Sequence, residues 1–394
     1  MPQQAQSSST ESQAGVDAGT LLLYILFAAT GLGVVLPGTL LPQLLQRWSL
    51  SDQQAGALFF CFFVGSSAGA VLARGRLKLS LALGCLLTCC GCWALSMASR
   101  FSCYAIITID GLGLGLAMTS VSLLQSRRRP WMRATEMARL NLIWALGACL
   151  APPILLRSVV HRPLAQVLSA CSLLFLLLDL LVLAFVQGVP SAPSSGPSSG
   201  PSLGSSLRQW RLLPLALLGI IPFATGIESA AGGWLTTFSH RSGLLLAGTV
   251  STVTCFWLGL LLSRFVQSYG QIATRSGGRV LRWAPWLAAA AVVLLLVGQG
   301  SVAISVAALL LGSAIGPLYP LALALILDHG EAGNVAFLIA GIGASSLPLL
   351  TGLVSGQMHS LARGLLVLLV AAVAMGLLAG PALATGRSRP STRS

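Results

Sequence analysis

Twelve apolar segments, each long enough to cross a lipid bilayer, dominate the sequence. A helix that spans a bilayer needs about 20 mainly apolar residues. The segments cover about residues 19–46, 51–73, 77–98, 101–124, 134–157, 163–187, 212–238, 243–268, 282–299, 301–327, 331–356 and 361–384. Only 8% of the 394 residues are charged, which is too few to cover the surface of a water-soluble protein of this length. We therefore predict an all-α membrane protein with twelve transmembrane helices.

The basic residues predict the orientation of these helices. If both termini are cytoplasmic, the loops on that side carry 16 Lys and Arg, the opposite loops carry 6, and Arg139 lies within segment 5. Such a bias is typical of cytoplasmic loops. It predicts a multi-pass protein of the plasma (bacterial inner) membrane with both termini cytoplasmic. Since the basic residues are scattered among short loops, the net charge of +14 does not indicate a nucleic-acid partner.

A linker divides the chain into two similar halves. Residues 188–211 are rich in Pro, Ser and Gly and cannot bury a core, which is typical of a flexible cytoplasmic linker. We predict a bundle of six helices on each side, at 19–187 and 212–385, with a polar tail at 1–18 and a basic tail at 386–394. Short motifs recur in the same order in both halves: Cys61-Phe62-x-x-Gly65 with Cys255-Phe256-x-x-Gly259, and Gly147-ACLA-Pro152 with Gly343-ASSL-Pro348. A duplicated six-helix unit of this kind predicts the major facilitator fold.

Several stretches together resemble one branch of that superfamily. They are GVVLPGTLLPQLLQRWSLSDQQAGALFFCFFVGSSAGA from Gly33, DGLGLGLAMTS, RLNLIWALGACLAPP, GIESAAGGWLTTF, GPLYPLALAL and GIGASSLPLL. Over about residues 30 to 355 the chain is similar to the fucose:proton symporter-like sugar transporters. The resemblance implies a secondary active transporter that moves a monosaccharide by alternating access with proton coupling. We expect a monomer and no cofactor.

Two departures from the superfamily leave the coupling open. Ala73 stands where the loop between helices 2 and 3 usually has an aspartate, and the first segment, Leu21 to Leu45, has no acid. A facilitative uniporter, sodium coupling, and a drug or metabolite exporter of the same superfamily therefore remain alternatives. The sequence has no His-Glu-x-x-His, Asp-x-x-x-Asp or Gly-x-x-x-x-Gly-Lys motif, so we expect neither an enzyme nor a nucleotide site. We interpret the cysteines of segment 3 as small apolar fillers and expect no metal.

Three acids lie within the apolar segments, where a charge is costly. Asp110 is about 13 Å along segment 4 by the helical rise, and Glu228 is about 24 Å along segment 7, in its predicted outer half. Both segments line the cavity in the fold that the resemblance implies, so we predict proton coupling at Asp110 and Glu228. A carboxylate that only accepts hydrogen bonds from a neighbouring helix is the alternative for both. For Asp179, in segment 6, we favour that structural role.

Sugar recognition requires hydrogen-bonding groups and aromatic faces in a confined pocket. The candidates on cavity-facing segments are Asn141, Trp144, Glu228, Trp234, Trp257, Tyr319 and Asn334. Pro317 and Pro320, on either side of Tyr319, predict a kink in segment 10, since proline leaves carbonyl groups without helix partners. Simple helix packing is the alternative for each aromatic residue.

A last group of charged residues lies at the predicted cytoplasmic ends of the helices. Arg133, Glu136 and Arg139 are spaced by three residues, which places them on one helix face. Asp328 and Glu331 form an acidic loop that could pair with Arg74 or Arg76 across the halves. We predict gating roles for Arg74, Arg76, Arg133, Glu136, Arg139, Asp328 and Glu331. A solvated loop is the alternative for the last two acids.

Overall fold

The computed structural model describes residues 18–73, 75–186, 215–268, 271–328 and 333–386, and every element within them is helical. The first half contains α1 (Ala18–Thr39), α2 (Leu41–Trp48), α3 (Asp52–Leu72), α4 (Leu77–Met97), α5 (Ser102–Arg128), α6 (Arg133–His161) and α7 (Leu164–Phe185). The second half contains α8 (Leu215–Arg241), α9 (Leu246–Ser268), α10 (Gln271–Val297), α11 (Gly300–Ile315), α12 (Leu318–Asp328), α13 (Gly333–Met358), α14 (Leu361–Gly364) and α15 (Leu366–Gly386). The predicted linker and both predicted tails lie almost wholly outside the described residues.

These helices form twelve spans, since α1 with α2, α11 with α12, and α14 with α15 each make one. In the described part of the chain, 11 helices are long and apolar enough to cross a membrane. The twelfth span, α8, is long enough at 27 residues, but Glu228 and several Gly, Ser and Thr residues interrupt its apolar sequence. The predicted all-α architecture is therefore confirmed. The clearest error in a boundary is at segment 9, which begins at Gln271 and not at 282.

The break in segment 10 follows from its prolines. Helix α11 ends at Ile315 and α12 begins at Leu318, so Gly316 and Pro317 connect the two. Pro320 has no N–H group for the carbonyl of Gly316, four residues earlier, so that oxygen lacks its helical donor. A carbonyl oxygen without a helical hydrogen bond therefore lies inside an otherwise apolar span.

The two halves repeat the same packing. In the first half α3 packs on α5 and α1 on α6, and in the second half α9 packs on α11 and α8 on α13. Between the halves, α3 packs on α13, α6 on α9 and α1 on α8. Each half therefore contributes equivalent helices to the interface, as a pseudo-twofold arrangement requires.

The halves are closed against each other at one end. There, the carboxylate of Asp52 on α3 accepts two hydrogen bonds of 2.7 Å from Arg241 on α8, and a third from the hydroxyl of Ser355 on α13. We call Asp52, Arg241 and Ser355 the closed-end latch. Farther in, α1 and α8 approach so closely that a Cβ atom on Gly38 would lie 2.2 Å from the carbonyl oxygen of Gly232. Glycine is required at this crossing.

Candidate functional site

A largely buried ion pair joins two helices of the second half, α8 and α9. Glu228 is at the midpoint of the 27-residue helix α8. Nη2 of Arg264, on α9, lies 3.1 Å from Oε1 and 2.9 Å from Oε2 of Glu228. The side chains are only 9% and 15% exposed for Arg264 and Glu228. Two opposite charges removed from water in this way stabilise each other, and loss of either leaves the other uncompensated.

Two further contacts hold the guanidinium of Arg264. Its Nε atom lies 3.4 Å from the carbonyl oxygen of Gly316, the acceptor that Pro320 leaves without a helical donor. Its Cζ atom lies 5.5 Å from the ring centroid of Trp144, a cation–π contact with the first half of the chain. The break in segment 10 thus helps to position the arginine.

Aromatic side chains surround this pair. The rings of Trp144 on α6 and Trp257 on α9 meet edge to face, with centroids 5.9 Å apart. Trp257 lies against Gly232, where a Cβ atom would come 2.7 Å from Cζ2 of the indole. Tyr319 on α12 lies one helical turn after Gly316, whose carbonyl oxygen accepts a hydrogen bond from Arg264. We call Glu228, Arg264, Trp144, Trp257 and Tyr319 the central cluster.

Sequence reasoning selected four members of the central cluster and missed Arg264. The structure places Arg264 inside the helix Leu246–Ser268, four residues before its end. The predicted bounds 212–238 put Glu228 past the middle of segment 7, whereas it is at the midpoint of α8 because this helix is Leu215–Arg241. The usable signal was that Arg264 lies at the end of a motif, Gly259-LLLS-Arg264, still within an apolar segment.

The structure does not support a solute-binding role for Trp234. The side chain is fully buried, its Nε1 donates to the carbonyl oxygen of Pro348 at 3.1 Å, and its ring packs edge-on against Phe59. It therefore presents no free face to a solute in this conformation. Asn141 is exposed one helical turn before Trp144 and outside the central cluster, and the side chain of Asn334 lies outside the described residues.

Asp110 lies elsewhere, inside the first half. Its carboxylate is almost fully buried against Gly91 of α4, and Oδ1 lies 3.6 Å from Sγ of Cys92. The structure therefore does not bring it to Glu228. Asp179 on α7 is also buried, and its Oδ1 has no hydrogen-bond partner among the described residues. Among the described residues, Oδ1 of Asp179 therefore does not have the polar partner that we expected on a neighbouring helix.

Two of the seven predicted gating residues, Glu136 and Arg139, belong to one described network. Fully buried Glu136 accepts hydrogen bonds from the hydroxyl of Tyr24, from Arg129 at 3.1 Å and from Arg139 at 2.9 Å. Tyr24 and Arg129 were not anticipated from the sequence, because their contacts with Glu136 join three helices. Arg76 is exposed. Arg74 and Glu331, and the side chains of Arg133 and Asp328, lie outside the described residues.

Neither a protein-family model nor a curated protein sequence matches the chain. Solved structures do match the fold. The chain superposes on a bacterial homologue of the human lysosomal transporter Spinster, inward-facing and unoccupied, with a TM-score of 0.72 and 15% identity over 94% of this chain and 98% of that one. It superposes on the nucleoside transporter NupG with a TM-score of 0.73 and 14% identity, over 94% and 99%.

A second structure of the Spinster homologue, inward-facing and occupied, matches with a TM-score of 0.68 and 13% identity over 94% of this chain and 96% of that one. At such identities the likeness shows the fold and not the function. The predicted major facilitator fold is therefore confirmed. The central cluster lies where the two halves of this fold meet, since Trp144 belongs to the first half and the other four members to the second.

Proposed function

We propose that this protein is a secondary transporter that moves a small polar solute, in the first instance a monosaccharide, by alternating access. The observation that carries the proposal is the central cluster, a largely buried ion pair with aromatic groups at the interface between two repeated six-helix halves. In transporters built from such repeats, the solute site lies near the bilayer midplane where the repeats meet. A carboxylate, a guanidinium and indole rings can bind and stack on a sugar ring.

The closed-end latch supports a mechanism in which the halves rock against each other. In the predicted orientation, Asp52, Arg241 and Ser355 are on the outer side, so the described state is closed to the outside. Transport then requires the latch to open and the opposite end to close. The network around Glu136 joins helices of one half only, which suits a part that moves as a rigid body.

For proton coupling, we propose Glu228 as the residue that binds the proton. Protonation of Glu228 would release Arg264, which contacts the other half through Trp144, so the change at one carboxylate would reach the interface. Asp110 remains the second candidate from sequence, although the structure places it against Gly91 and Cys92 inside the first half. The two candidates predict different results for the same experiment.

The experiment is counterflow and gradient-driven uptake of labelled monosaccharides in proteoliposomes. The wild-type protein should accumulate the sugar when a pH gradient is imposed. Glu228→Gln should retain exchange and lose accumulation, whereas Asp110→Asn should behave as wild type. If only Asp110→Asn lost accumulation, the residue that binds the proton would be Asp110 and not Glu228. Equal uptake with and without the gradient would favour the facilitative uniporter, and failure to move any sugar would favour the exporter.

A further inference from the structure

The central cluster offers a ligand more hydrogen-bond donors than acceptors. Nε1 of Trp144 and Nε1 of Trp257 have no hydrogen-bond acceptor among the described residues, although the side chains are only 8% and 3% exposed. A buried donor without a partner costs about 1–3 kcal/mol. The described contacts of Arg264 use Nε and Nη2, which leaves Nη1 for a ligand. Both oxygens of Glu228 are already engaged by Arg264.

The charges of the cluster constrain the charge of its ligand. Glu228 and Arg264 cancel, so a bound anion would leave a net negative charge in a buried site, at a cost of several kcal/mol. A proton on Glu228 removes that cost, and it also releases Nη2 of Arg264. The guanidinium could then hold a carboxylate with two parallel hydrogen bonds, the geometry that arginine favours.

The charged and titratable groups around Glu228 are compatible with its protonation when a carboxylate binds to Arg264. Arg264 of α9 and Tyr319 of α12 are the charged or titratable groups described beside it. Four other helices that pack on α8, namely α1, α11, α13 and α15, have no charged residue within their bounds. On α2, Arg47 donates to the carbonyl of Ser96. On α12 the side chain of Asp328 is not described.

We propose that the transported solute carries a carboxylate group, which binds to Arg264 and to the indole N–H groups of Trp144 and Trp257 while Glu228 takes up one proton. This inference rests on the proposed transport function and narrows its substrate from neutral sugars to acids such as hexuronates. One proton and one carboxylate enter together, so the transport cycle carries no net charge.

Binding tests the inference without transport. Two pairs of probes differ only in the acid group: D-galacturonate with D-galactose, and phenylacetate with phenylacetamide. Each is titrated into the purified full-length protein in detergent while the midpoint of thermal unfolding is measured, because a ligand of the folded state raises it. The acid of at least one pair should bind at least about tenfold more tightly than its neutral partner. The inference fails if both neutral probes bind as tightly as the acids, or if none of the four binds.

Substitutions test which side chains bind the carboxylate of the ligand. Trp144→Phe and Trp257→Phe keep an aromatic ring but remove the N–H group, so each should weaken binding of the acid by about tenfold. The matched control is Trp93→Phe, an exposed tryptophan on α4. Arg264→Gln should abolish the preference for the acid, and exposed Arg157→Gln should not change it. If Arg264→Gln does not fold, the two tryptophan variants decide, and wild-type affinity in both would overturn the assignment.

Uptake in proteoliposomes separates the inference from the proposed function. Uptake of galacturonate should be accompanied by protons and should not respond to a potassium diffusion potential. Binding of acids without uptake of any solute would contradict the transport function and leave the ligand class standing. Uptake of galactose at the same rate as galacturonate would support the transport function but contradict the inference that the solute carries a carboxylate.

Discussion

Arg264 is positioned by three different kinds of contact: an ion pair with Glu228, a hydrogen bond to the carbonyl of Gly316 and a cation–π contact with Trp144. Each comes from a different membrane span. Lysine could not reproduce this arrangement, because its ammonium group is a point charge without the planar fork of a guanidinium. A change at this one residue should therefore affect both stability and function.

The ion pair predicts a non-additive pattern of stabilities. Arg264→Gln alone leaves Glu228 as an unpaired, largely buried charge and should lower the free energy of unfolding by about 1–3 kcal/mol. Combination with Glu228→Gln removes the second charge and should restore most of that loss. Thermal unfolding of the two single variants, the double variant and the control Arg157→Gln measures this. A double variant as unstable as the sum of the single variants would show that the charges do not depend on each other.

Among the polar and aromatic residues predicted to bind solute, some lie in the central cluster and others do not. Glu228, Trp144, Trp257 and Tyr319 were selected because polar or aromatic groups in cavity-facing segments are candidates for solute binding. The same rule selected Trp234, which packs against Phe59 and Pro348 instead. The direction of a side chain around a helix depends on which helices surround it, and the sequence of one segment does not contain that information.

Among the helices, the crossing of α1 and α8 depends most on the absence of side chains. A Cβ atom on Gly38 would lie 2.2 Å from the carbonyl oxygen of Gly232, and one on Gly232 would lie 2.7 Å from the indole of Trp257. The glycine therefore allows α1 to lie directly against the helix that carries Glu228. Hydropathy predicted both helices, but the closeness of their contact requires the packed structure.

Gly38→Ala should force α1 away from α8 and loosen the closed end. We expect faster hydrogen–deuterium exchange in the peptides that cover the closed-end latch, at residues 51–56 and 238–243, because local opening becomes more frequent. Gly277→Ala is the matched control, since its Cβ atom would make only an ordinary contact, 3.5 Å from Leu321. Unchanged exchange in Gly38→Ala, with the protein folded, would show that the crossing does not determine closure.

At the scale of the whole molecule, two features were accessible from the sequence and one was not. The apolar segments predicted the spans, and the repeated motifs predicted two equivalent halves. The closed-end latch was not predicted, because Asp52, Arg241 and Ser355 are far apart in the chain and lie at or near helix ends, where polar and charged residues are common. Their contact exists only in one arrangement of the halves, so it depends on conformation as well as on sequence.

The most direct measurement locks the two halves together at that end. In the double variant Asp52→Cys and Ser355→Cys, a disulfide would join α3 to α13 where these side chains now meet. Counterflow in proteoliposomes is measured for the oxidised and reduced protein, with each single variant as the control. Alternating access predicts that transport stops on oxidation and returns on reduction. Transport at the wild-type rate through fully cross-linked protein would contradict it.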